Sequence, residues 1–168
     1  MTTRQLVLVR HAKATQGGGD RDRPLARRGT TEAPAVGRWL AERQIVPDRV
    51  VVSPARRARQ TWELAGAELG RPGPGEPEID ERVYDNTVDG LLAVVRDTPG
   101  DVSTLAIVGH NPAIEELAIA LDDGTGDAAG RRKLAEKYPT SGVAVFAVTD
   151  PWTAVRTGTL TSFAVPRG

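Results

Sequence analysis

The sequence predicts an α/β fold of three layers, a mostly parallel central sheet with helices on both faces. Three observations predict it. Short apolar runs at 5–10, 49–53 and 104–109 are hydrophobic at successive positions, the pattern of strands buried on both sides. Segments with helical spacing of apolar residues separate them. Each run also ends abruptly in polar residues, Arg10-His11, Ser53 and His110-Asn111. The carboxyl edge of an open α/β sheet is where such residues meet a ligand.

The chain has 168 residues, of which 39% are hydrophobic and 26% charged. That is enough for a substantial core, and one domain over 1–168 is expected. Lys+Arg and Asp+Glu both number 22. This balance gives no general attraction to nucleic acid or to a membrane surface, and neither is expected as a partner. Cysteine is absent, which excludes disulfides, thiol catalysis and thiolate metal sites. No apolar stretch resembles a signal peptide or spans a bilayer, so a cytoplasmic location is expected.

Residues 5–10 read as a central strand. Residues 12–29 carry Gly17-Gly18-Gly19 and the charged run Asp20-Arg21-Asp22-Arg23 and read as a loop. A helix is predicted over 30–43, with Ala33, Val36, Gly37 and Leu40 inward and Pro34 in its first turn. The second strand, 49–53, leads into a helix over 55–69 with Ala58, Trp62, Ala65 and Leu69 on one stripe. Arg56, Arg57 and Arg59 crowd its start. Cations are unfavourable at the positive end of a helix dipole, so one of the three is expected to face an anion. Residues 70–77 are a loop, and 78–84 a short strand followed by a loop.

A helix over 88–97 buries Leu91, Leu92 and Val95. The third strand, 104–109, ends at His110-Asn111-Pro112. Pro112 suits the first position of the next helix, whose stripe is Ile114, Leu117, Ala118 and Leu121. Backbone N–H groups at this junction are expected to be free for an anion. Residues 122–141 read as a polar connection with one short helix; Arg131-Arg132-Lys133 in it reads as a solvated face. A strand at 142–148 and one or two more over 153–164 form a hairpin added to the sheet.

The only two histidines of the chain, His11 and His110, both follow buried strands. Arg10, Arg57 or Arg56, Arg23 or Arg21, and Asn111 fall at the same edge. Guanidinium forks match phosphoryl oxygens, and a neutral imidazole is a nucleophile toward phosphorus. No P-loop motif and no carboxylate cluster accompanies them, so no metal and no other cofactor is expected.

Four motifs in order, Val9-Arg10-His11-Ala12-Lys13, Arg23-Pro24-Leu25 with Arg28-Gly29, Ser53 through Thr61, and Val108-Gly109-His110-Asn111-Pro112, resemble the histidine phosphatase superfamily, which has the phosphoglycerate mutase-like fold. The spacing is similar to that of the small SixA-like branch of phosphohistidine phosphatases, from about residue 5 to 165. The resemblance implies that His11 is the nucleophile and becomes a phosphohistidine. Arg10, Arg57 and His110 would form the phosphate pocket, with Arg23 and Asn111 as further binding residues. Glu81 falls in a segment similar to the one that carries the proton-donating glutamate of mutase-type members; a surface carboxylate is the alternative. Ala14 departs from the pattern, because a hydroxyl residue usually stands there. The implied partner is a phosphorylated protein or a small phosphate ester. A non-catalytic phosphate-binding module is the reading from another class.

Overall fold

The computed structural model describes residues 3–168. Six strands form one sheet: β1 (Arg4–Arg10), β2 (Arg49–Val52), β3 (Pro77–Ile79), β4 (Thr104–Gly109), β5 (Val143–Val148) and β6 (Thr159–Ala164). Their order across the sheet is β3-β2-β4-β1-β5-β6. β3, β2, β4 and β1 run parallel, and β5 pairs antiparallel with both β1 and β6. The hairpin β5–β6 therefore extends a parallel sheet, as expected.

Alternation along the strands builds two cores, because successive side chains point to opposite faces. On one face Leu6, Leu8, Val51, Leu105, Ile107, Ala144 and Phe146 meet the helices α4 (Val88–Arg96), α5 (Ala113–Leu121) and α6 (Ala128–Glu136) through Leu91, Val94, Val95, Ile114, Leu117, Leu121 and Leu134. On the other, Val7, Val9, Val50, Val52, Ala106, Val108, Val143 and Val145 meet α1 (Arg27–Glu42) and α2 (Arg56–Gly66) through Val36, Leu40, Ala58, Trp62 and Ala65. Each large side chain so buried contributes roughly 1.5–3 kcal/mol. This is the three-layer α/β architecture. A single turn of helix, α3 (Glu81–Tyr84), links β3 to α4. No helix among the described residues is long and apolar enough to cross a membrane.

Several boundaries differ from the sequence expectation. α1 starts at Arg27, not 30, so Pro34 lies well inside it rather than in the first turn. Ala26 supplies no side-chain cap there, and the sequence therefore offers no start signal. α2 ends at Gly66 and continues as a 3₁₀ turn over Ala67–Leu69. Pro112 precedes α5 instead of opening it. Leu92 is only partly buried, and Val94, unpredicted, takes a core position. Residues 153–164 hold one strand, preceded by a 3₁₀ turn at Trp152–Ala154.

Candidate active site

Sheet register brings the two histidines together. Arg10 pairs with Gly109 across the parallel strands β1 and β4, so His11 and His110 leave the sheet side by side. The His11 N–H donates to the Gly109 carbonyl at 3.0 Å, and the two imidazole centroids lie 5.2 Å apart. Val52 pairs with Val108, which puts Ser53 beside them. The antiparallel β5 brings its preceding segment, 138–142, to the same edge.

His11 is buried. Its Nδ1 lies 2.7 Å from the Ala12 carbonyl, which can only accept, so Nδ1 carries the proton and Nε2 the lone pair. Arg57 Nε donates toward that Nε2 at 3.4 Å. Burial, followed by the neighbouring His110 and Arg57, lowers the His11 pKa to about 3. The ring is neutral at pH 7, the state a nucleophile needs. Thr61 on α2 fixes this geometry. Its hydroxyl accepts from the Ala12 N–H at 2.9 Å and donates to the Arg57 carbonyl at 2.7 Å.

His110 is oriented by two partners. Arg57 Nη2 donates to Nδ1 at 3.3 Å, so the proton sits on Nε2 and is donated to Ser53 Oγ at 2.7 Å. Burial and then Arg57 lower its pKa to about 4. His110 is therefore neutral at pH 7; a phosphoryl anion beside it would raise this pKa.

Of the three arginines at the start of α2, Arg57 is buried while Arg56 and Arg59 are exposed. Arg10 donates through Nη1 to the Tyr138 carbonyl at 2.8 Å, and its buried Nε has no partner among the described residues. Arg23 donates to the Thr15 carbonyl at 2.8 Å and to Asp20 at 3.1 Å. Asn111 donates to the Tyr138 carbonyl at 3.0 Å. All of them line one polar, solvent-open cavity of about 480 Å³, together with His11, His110, Arg57, Asp20, Tyr84, Asn86 and Ala14. Ala14 lines the cavity and brings no hydroxyl to it.

Glu81 stands apart from this group. It is exposed, paired through both oxygens with Arg21 at 3.0 and 2.7 Å, and does not line the cavity. Arg21 holds its carboxyl below the usual range, whereas a proton donor at neutral pH needs a raised one. The α5 junction also differs from expectation. The Ala113 N–H is taken by the Asn86 side chain at 3.1 Å, whose own amide donates to the Asn111 carbonyl. That amide is thus not free for an anion.

Ser53, Thr61, Asn86, Tyr84 and Asp20 have no role assigned from sequence alone. Ser53 and Thr61 lie inside a recognised motif, which was a usable signal. Asp20, Tyr84 and Asn86 become visible only through tertiary proximity. No group of three or more His, Asp or Glu side chains among the described residues could hold a metal ion.

The family model of the histidine phosphatase superfamily (branch 1) matches residues 6–147. An uncharacterized protein of Mycobacterium tuberculosis is 40% identical over 164 residues, covering 95% of this chain and 100% of its own length. The phosphohistidine phosphatase SixA of Escherichia coli is 30% identical over 123 residues, 71% of this chain and 75% of that protein. A Nakamurella multipartitia structure, provisionally named as a SixA phosphohistidine phosphatase, superposes with a TM-score of 0.86 at 30% identity over 99% of this chain and 98% of that one. The protein histidine phosphatase SixA complexed with tungstate superposes with a TM-score of 0.71 at 24% identity over 96% and 97% of the two chains, a likeness of fold. With that geometry and these relatives, the chain belongs to branch 1 of the histidine phosphatase superfamily and is a phosphatase.

Proposed function

We propose that this phosphatase removes phosphoryl groups from phosphohistidine on proteins, in the manner of SixA, through a covalent intermediate on His11. The observation that carries the reading is the fixed His11 tautomer, with Nε2 unprotonated and aimed at the Arg57 fork. In the first step the Nε2 lone pair attacks phosphorus. The Nε2–P bond forms, the substrate P–N bond breaks, and its electrons leave on the substrate imidazole, which takes a proton from water. Arg10, Arg57 and Arg23 hold the phosphoryl oxygens, and His110 joins them once the incoming charge has raised its pKa. Water then attacks phosphorus, the Nε2–P bond breaks, and orthophosphate leaves.

Two features favour phosphohistidine over an alkyl ester. The cavity is open at its rim, where Lys13, Gln16 and Asp20 are exposed, so a side chain on a protein surface can reach it. Imidazole leaves readily, whereas an alkoxide needs a positioned acid, and Glu81 is committed to Arg21.

The test is turnover of a phosphohistidine protein and of alkyl phosphate esters by wild type, His11→Ala and Glu81→Gln, with chelator present. His11→Ala should lose roughly a thousandfold or more. Glu81→Gln should retain most of the phosphohistidine activity. Full activity of His11→Ala, or a preference for alkyl esters that Glu81→Gln abolishes, contradicts the reading.

A further inference from the structure

Arg57 is nearly saturated before any substrate arrives. A guanidinium has five N–H donors. Four are engaged, one each on His11 Nε2, His110 Nδ1, the Asp20 carboxylate (3.2 Å) and the Asp20 backbone carbonyl (2.6 Å). The Asp20 carboxylate also accepts from Arg23 at 3.1 Å and from the Tyr84 hydroxyl at 2.7 Å. One carboxylate thus holds two of the arginines that a phosphoryl group would need, and it lines the same cavity.

The segment that carries Asp20 is exposed and glycine-rich. It follows Gly17-Gly18-Gly19, where Gly17 and Gly18 adopt left-handed φ angles of 83° and 76° with no neighbour close to either. Residues 16–22 are all exposed, and Asp20 opens only a single 3₁₀ turn. Arg57 itself is only 7% exposed. A buried cation without a partner is costly, so an anion at this place stabilises the empty pocket.

We propose that Asp20 is an internal anion of the phosphate pocket: it neutralises Arg57 and Arg23 when the pocket is empty and is displaced when a phosphoryl group binds. The hydrogen bond from Tyr84, followed by those from Arg23 and Arg57, holds the Asp20 carboxyl well below the usual range, so it stays charged as a competitor. The consequence is weakened binding of every phosphoryl oxyanion, the product included. Asp20 therefore speeds release of orthophosphate and limits product inhibition. This rests on the phosphate-pocket reading above.

The experiment is calorimetric binding of orthophosphate to wild type, Asp20→Asn and Asp20→Ala, with product inhibition measured in parallel. Asp20 is exposed, so both variants should keep the fold, which thermal melting checks. Both should bind orthophosphate about tenfold more tightly and be inhibited by it at lower concentration. Unchanged or weaker binding in both variants overturns the inference while leaving the pocket intact. So does a lower rate on alkyl esters with unchanged phosphate affinity, which would mark Asp20 as a proton donor. Orthophosphate bound by neither wild type nor variants overturns the phosphate-pocket reading itself, and the inference with it.

Discussion

The charge state of the two imidazoles follows first from burial, then from His110 and Arg57 at His11 and from Arg57 at His110. The chain has only two histidines, so their titration can be followed without ambiguity. With pKa values of about 3 for His11 and about 4 for His110, neither should titrate near 6.5 by NMR in the phosphate-free protein. Both folded pKa values lie below the unfolded value. Their neutral forms are therefore without cost above pH 6.5, and stability falls as pH drops from 6.5 toward 4, where the unfolded chain binds more protons. Adding orthophosphate should move the His110 midpoint upward. A histidine titrating near 6.5 in the empty protein would contradict the described packing. At this scale the sequence was informative about His11, His110, Arg10 and Arg57, because strand ends and the crowded arginines at α2 carry local signals. Asp20 was not legible. It reads as one charge in a polar glycine loop, and its meaning lies in Arg57 and Tyr84, 37 and 64 residues away.

At the scale of elements, the site depends on how α1 and α2 settle on the sheet, since α2 supplies both Arg57 and Thr61. The two helices approach closely at Gly37, where a Cβ would come within 2.0 Å of the Ala65 carbonyl oxygen. Gly37→Ala must push α2 away. It should lower unfolding stability by about 1–3 kcal/mol and reduce activity through the displaced Arg57 and Thr61. Gly100→Ala is the control: a Cβ there meets nothing within 4 Å, and chemical denaturation should show a change within about 0.5 kcal/mol. Equal stability of the two variants would show that the helix contact is not tight. The core stripes of α1 and α2 were legible from spacing alone. The start of α1 was not, because Gly29 belongs to its first turn for a tertiary reason: a Cβ there would meet the Lys13 carbonyl. Thr30, where the sequence predicts the helix to begin, lies inside its first turn.

For the whole molecule, the parallel order β2-β4-β1 gathers three strand ends from residues 10, 52 and 109 into one edge, and the reversed β5 delivers the 138–142 segment to it. Fold class and site location were both legible, since apolar runs ending in polar residues encode each strand and its direction. The partners that orient the site were legible only in part. They come from loops whose composition is compatible with many conformations, as with Asn86, which caps α5 from the α3–α4 connection.

Covalent catalysis by His11 is tested most directly by trapping the phosphoenzyme. The protein is mixed with a phosphohistidine protein, quenched in base, where phosphohistidine survives, digested and sequenced by mass spectrometry. One acid-labile phosphoryl group is expected on the peptide containing His11, absent in His11→Ala. Turnover with no labelled enzyme, or a label on His110 in place of His11, would contradict covalent catalysis by His11.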